Sequence, residues 1–123
     1  MQSDNAKFKI EFNQRLYDFV LRLVRLTTNL SYNPITKVII DQLIRSGTSI
    51  LANYTEAGAS SSRKEFTNFF QYSLKSANET ALWIKLLQDT SNGDKKELEY
   101  LVREVKEISN IFASSILKLK GKK

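Results

Sequence analysis

Arg45-Ser46-Gly47-Thr48-Ser49-Ile50-Leu51-Ala52-Asn53-Tyr54-Thr55-Glu56 is the stretch on which the reading of this 123-residue chain turns. Ser, Gly, Thr and Asn are weaker helix formers than Ala or Leu, yet no proline interrupts the stretch and apolar periodicity runs into it from Ile39. The periodicity predicts a helix, and the poor propensity says that something outside the helix selects these residues. Small side chains let a neighbouring backbone come close. Arg45, Ser49, Asn53 and Glu56 also place hydrogen-bonding groups about one turn apart along one side.

Asn33 is a candidate N-cap for this helix, with Pro34 at the first helical position, where its missing N–H costs nothing. On a helical wheel Ile39, Ile40, Leu43, Ile44, Gly47, Ile50, Leu51, Tyr54 and Ala57 share one arc and form a core face. Arg45, Ser49, Ala52 and Glu56, flanked by Gln42 and Asn53, fall opposite, toward water or another subunit. Gly58 suits a left-handed C-cap.

Outward from this helix the same periodicity recurs three times. A first helix from about Phe8 to Asn29 carries Phe8, Phe12, Leu16, Phe19, Leu23 and Leu26 at spacings of three and four, after a disordered lead-in over residues 1–7. Ser62 with Glu65 three residues later is a capping box that opens a third helix, whose core face runs from Phe66 through Phe70, Ser73, Ala77, Thr80 and Ile84 to Leu87. After the loop around Gly93, a fourth helix from about Asp94 to Lys118 buries Leu98, Leu101, Val102, Val105, Ile108, Phe112 and Ile116; its glutamates read as a solvated surface. Four helices with short connections predict a single all-α domain over 1–123, an up-down-up-down antiparallel four-helix bundle.

Helices one, three and four carry a second apolar set beyond the main stripe: Ile10, Tyr17, Leu21 and Val24; Tyr72, Trp83 and Leu86; Tyr100 and Ile111. A bundle needs one stripe per helix, so the surplus predicts a covering partner, most simply another copy of the chain.

The formal charge is +6, from 19 Lys and Arg against 13 Asp and Glu, and Lys118, Lys120, Lys122 and Lys123 account for most of it. That basic tail, together with Arg15, Arg22 and Arg25 on the first helix, supplies candidate phosphate contacts for RNA or DNA. Glu11 and Asp18 stand four residues ahead of Arg15 and Arg22, however, which predicts intrahelical ion pairs instead. The sequence has no Cys and no His, which removes thiolate chemistry, the commonest general base and the usual zinc ligands; it has no glycine-rich phosphate loop. No catalytic residue, metal ligand or cofactor site is therefore expected. With no signal peptide and no uncharged apolar run long enough to span a bilayer, a cytoplasmic protein without membrane attachment is expected.

The run from Gln42 to Glu56 is similar to a pattern Gln-hydrophobic-x-Arg-small-small-x-Ser-Ile-x-x-Asn-x-x-Glu-Gly. It is followed by Lys64-Glu65-Phe66 and by Ser73-x-x-Ser76-x-x-Glu79. In these residues the chain resembles the four-helix-bundle family of the 23S rRNA intervening-sequence protein, which includes the accessory variability protein of diversity-generating retroelements. Tyr54 and Thr55 replace the family's usual small aliphatic pair, Ala57 stands where Gly is common, and Lys75 replaces a small residue. The resemblance implies a homo-oligomer, in this family a pentameric ring, without enzymatic activity and with a proposed role in binding RNA or DNA through basic surfaces. An adaptor for a protein partner such as a reverse transcriptase is the alternative. Arg45, Ser49, Asn53 and Glu56, with Ser76, Glu79, Tyr72 and Trp83 of the third helix, are candidates for the subunit interface, or for pairing between helices two and three of one chain.

Overall fold

The computed structural model describes residues 4–90 and 92–121, which form α1 (Asp4–Thr28), α2 (Pro34–Gly58), α3 (Arg63–Asp89) and α4 (Lys95–Leu119). Residues 1–3, Ser91, Lys122 and Lys123 lie outside the described residues. α1 begins four residues earlier than its apolar stripe suggests, so positions 4–7 of the expected lead-in are helical: nothing between 4 and 8 is a glycine or a proline. Each helix packs on its chain neighbours, and contact partners run in opposite directions along every adjacent pair. Phe12 meets Phe112 near one end of α1 and α4, while Arg22 meets Glu97 near the other. The result is the expected antiparallel up-down-up-down bundle.

The caps behave as local chemistry dictates. The Asn33 side chain accepts hydrogen bonds from the Ile35 and Thr36 amides at 3.0 and 2.9 Å, and Pro34 occupies the first turn. Ser62 accepts from the Glu65 amide at 3.0 Å; the Glu65 carboxylate reaches back to the Ser61 amide, one residue before the N-cap. Gly58 departs from expectation. It is the last helical residue, the cap is Ala59 at φ −100°, and the last carbonyls are taken by the Ala59 and Ser60 amides and the Ser60 hydroxyl, so no left-handed residue is needed.

The core divides by side-chain type. Phe12, Tyr54, Phe70 and Phe112 interlock at one end with ring centroids 5.2–6.1 Å apart. Leu23, Leu26, Ile39, Leu43, Ile84, Leu87 and Leu101 fill the other end. Phe8, expected in the core, is 50% exposed: it stacks on Phe12 at the N-terminal end of α1.

The weak helix formers of α2 are explained by their neighbours. Ser46 is fully buried and accepts a hydrogen bond from the Thr80 hydroxyl at 2.9 Å, and the Ser73 hydroxyl donates to the Ile50 carbonyl at 2.9 Å. A serine reaches the carbonyl of another helix only when the two backbones lie near the short end of the usual interaxial range of about 8–10 Å. Gly47 does the same service toward α1, because a Cβ placed there would stand 2.6 Å from Leu23 Cδ1. These small residues let α2 pack closely on α3 and accept a leucine from α1.

Candidate nucleic-acid interface

Arg15 and Arg22 lie seven residues apart on α1 and face α4, where Glu97, Glu104 and Glu107 form a matching row. Arg15 makes a bidentate pair with Glu104 at 2.7 and 2.8 Å and adds Glu107 at 3.0 Å. Arg22 holds Glu97 in the same way at 2.8 and 2.7 Å, and its guanidinium lies 3.6 Å above the Tyr100 ring. Hydrogen bonding to the glutamates raises both guanidinium pKa values above their ordinary range against the opposing effect of burial, and the hydrogen bond from Arg22 lowers that of Glu97.

Two expectations fail here. The intrahelical pairs with Glu11 and Asp18 are absent among the described residues, because the α4 carboxylates offer two-point geometry in a partly buried seam, which an exposed pair along one helix cannot match. Glu104 is not solvated surface but 8% exposed. Its register was a usable signal: it stands three residues after Leu101 and four before Ile108, on the core side of α4. With their charges matched by carboxylates, Arg15 and Arg22 make a neutralised seam; Arg25, one turn beyond, is exposed and makes no ion pair with any described residue.

Of the polar stripe of α2 and its α3 counterparts, only Arg45 and Glu79 pair across the two helices among the described residues. Arg45 binds Gln42 and the Glu79 carboxylate, and Glu79 also accepts from Trp83 Nε1 at 3.2 Å. Asn53 donates to the Ser49 carbonyl of its own helix, and the Ser76 carbonyl accepts from Thr80. Glu56 is exposed, and Tyr72 is 53% exposed. Trp83, Leu86, Tyr100 and Ile111 of the second apolar sets pack against the core, whereas Ile10, Tyr17, Val24 and Tyr72 remain outside.

Unmatched positive charge collects on the opposite side, between α3 and α4, which the sequence reading did not single out. Two depressions lie in this groove. One is lined by Arg63, Lys64, Lys120, Asn68 and Gln71, the other by Lys85, Lys106, Asn78, Gln88, Ser109 and Asn110, and among the described residues no carboxylate lines either. Their nearest α3 residues, Gln71 and Asn78, are two helical turns apart, about 10 Å at 1.5 Å per residue. Exposed Lys75, one turn past Gln71, stands between them. Arg63 is partly engaged, donating to the Leu119 carbonyl, and Lys85 makes an exposed pair with Asp89 at 3.3 Å. Lysines alternating with amide and hydroxyl side chains are suited to phosphate oxygens and sugar hydroxyls. Of the expected tail, Lys120 joins this groove, whereas exposed Lys118 lies on another face beside α1.

The family model for the 23S rRNA-intervening sequence protein matches residues 9–114. The chain belongs to that family. The intervening sequence protein match spans the described helices from the second turn of α1 to near the end of α4. A solved structure from Bacteroides thetaiotaomicron, of a protein of unknown function in the S23 ribosomal protein family, is 34% identical. It aligns over 85% of this chain and 93% of its own at a TM-score of 0.74. Curated proteins offer no match. Among the described residues no cluster of three or more acidic, His or Cys side chains could hold a metal ion, and no helix is long and apolar enough to cross a membrane.

Proposed function

We propose that this intervening-sequence family protein is a non-enzymatic, homo-oligomeric helical bundle that binds RNA or DNA in the cytoplasm through the α3–α4 groove. The observation that carries this reading is the partition of charge: Arg15 and Arg22 of α1 are held by α4 glutamates, while Lys64, Lys106 and Lys120 line two depressions between α3 and α4 with no carboxylate among their described lining residues, and exposed Lys75 lies between the two along α3. Several copies in a ring, a pentamer as the resemblance implies, would repeat a weak groove and gain affinity by avidity. Exposed Ile35, Val38 and Leu82 on α2 and α3 support a covering subunit.

Fluorescence anisotropy with labelled RNA and DNA over a salt series tests the binding. Lys106→Gln and Lys75→Gln should each reduce the slope of log affinity against log salt by about 0.7–0.9, and Arg22→Gln should leave it unchanged. No binding at micromolar protein and low salt would overturn the proposal, as would equal slopes for all variants. Sedimentation of the parent at high micromolar concentration as a monomer would overturn the oligomer.

A further inference from the structure

At the aromatic end of the bundle α1 stands away from the ends of α2, α3 and α4 and leaves an open cavity of about 800 Å³. Its apolar wall is made by Phe8, Phe12, Tyr54, Phe66, Phe70 and Leu119, and the wall also includes Lys9 and Lys118 but, among the described residues, no acidic side chain. The volume falls in the range of small-molecule pockets, about 300–1,000 Å³, and the pattern of apolar wall with few polar groups is the one such pockets share.

Tyr54 lines the cavity and brings a phenol hydroxyl to its wall. Its ring is held by Phe12, Phe70 and Phe112, and its hydroxyl makes no hydrogen bond to any described residue. Burial raises the phenol pKa, which keeps the proton on the oxygen as a donor.

We infer that this cavity binds a small amphipathic anion, a molecule with an apolar body and a single carboxylate or comparable acidic head. The apolar body packs on the phenylalanine rings and the head lies toward Lys9 and Lys118, with the Tyr54 hydroxyl able to donate to a ligand oxygen. An anion is preferred over a cation or a neutral molecule because both charged side chains in the wall are lysines. The inference does not depend on nucleic-acid binding, which uses the separate α3–α4 groove.

The test is a fluorescence titration of the full chain with anilinonaphthalene sulfonate, followed by competition with dodecanoate and with dodecanol. Dodecanoate should displace the probe at micromolar concentration, with dodecanol at least about fivefold weaker, the scale of one solvent-screened charge contact. The double variant Lys9→Glu/Lys118→Glu should weaken dodecanoate about tenfold and dodecanol little. Gly58→Leu offers a block that spares the fold: Gly58 lies in the wall, and a Cβ there meets nothing within 4 Å. Binding of both ligands should fall at least about tenfold while the helical circular dichroism is unchanged. No displacement at millimolar dodecanoate would overturn the inference. So would equal binding of acid and alcohol, or full binding by Gly58→Leu. If the probe binds only after the oligomer dissociates, the cavity is a subunit contact and the inference fails.

Discussion

Gly47→Ala sets helix propensity against packing at the centre of α2. Propensity favours alanine by about 0.8–1.0 kcal/mol. Against this, the new methyl group would stand 2.6 Å from Leu23 Cδ1, well inside van der Waals contact. Leu23 is 1% exposed and enclosed by the aliphatic half of the core, so it can turn aside only by disturbing its own neighbours. Overpacking of this kind costs about 1–3 kcal/mol, and the expected net result is a loss of about 1 kcal/mol. Urea unfolding followed by far-UV circular dichroism measures it, at one fixed protein concentration because assembly would add to apparent stability. Gly58→Ala is the matched control: with nothing within 4 Å of the added Cβ, it should be neutral or stabilising by up to about 1 kcal/mol. In the double variant Leu23→Ala/Gly47→Ala the new methyl group enters space that the leucine vacated. The pair should therefore be less destabilising than the sum of the single changes by at least about 1 kcal/mol. A Gly47→Ala protein more stable than the parent would refute the close packing of α1 on α2.

Arg15→Ala should destabilise by about 2–3 kcal/mol, below the range for fully buried pairs because Arg15 is partly exposed, whereas exposed Arg25→Ala should change stability by less than about 0.5 kcal/mol; thermal melts of the two variants compare them. Glu97 has a folded-state pKa lowered from its ordinary 4.5, so its ion pair contributes fully above that value and loses its contribution as pH falls through the lower folded value. The stability advantage of the parent over Glu97→Gln should accordingly shrink below about pH 4.5; an advantage that stays constant down to pH 2 would refute this. Ser73→Val removes the bond to the Ile50 carbonyl and adds bulk where α2 and α3 meet, and should cost about 1–3 kcal/mol by chemical denaturation. Asn33→Ala should cost about 1 kcal/mol, read as a lower thermal midpoint, by leaving the Ile35 and Thr36 amides without their side-chain acceptor.

Legibility in the sequence followed the range of the interactions. Asn33, Pro34 and Ser62 were readable because a cap is satisfied within three residues of itself. The core stripes of α2, α3 and α4 were readable because burial follows the period of the helix. The sequence left Arg45 either at a subunit contact or paired with Glu79, and the structure shows the Glu79 pair within the chain. Gly58 misled because a glycine at a helix end permits a left-handed cap without requiring one. Phe8 misled because its spacing is right, but no helix covers it at that height.

By itself the sequence determined four amphipathic helices, where most of their ends fall, and that they close on one another as an antiparallel bundle, since an apolar stripe of period 3.6 must be buried and short connections permit little else. Only the tertiary structure decided where the charges go. The sequence pairs Arg15 with Glu11 along α1, but the register of α1 against α4 selects Glu104 for Arg15 and Glu97 for Arg22, which engages these two arginines and leaves the α3–α4 groove basic. The stretch from Arg45 to Glu56 shows the same division. Its weak propensity announced a close neighbour, but which neighbour each small residue serves, α1 for Gly47 and α3 for Ser46, depends on distances between helices that no local pattern records.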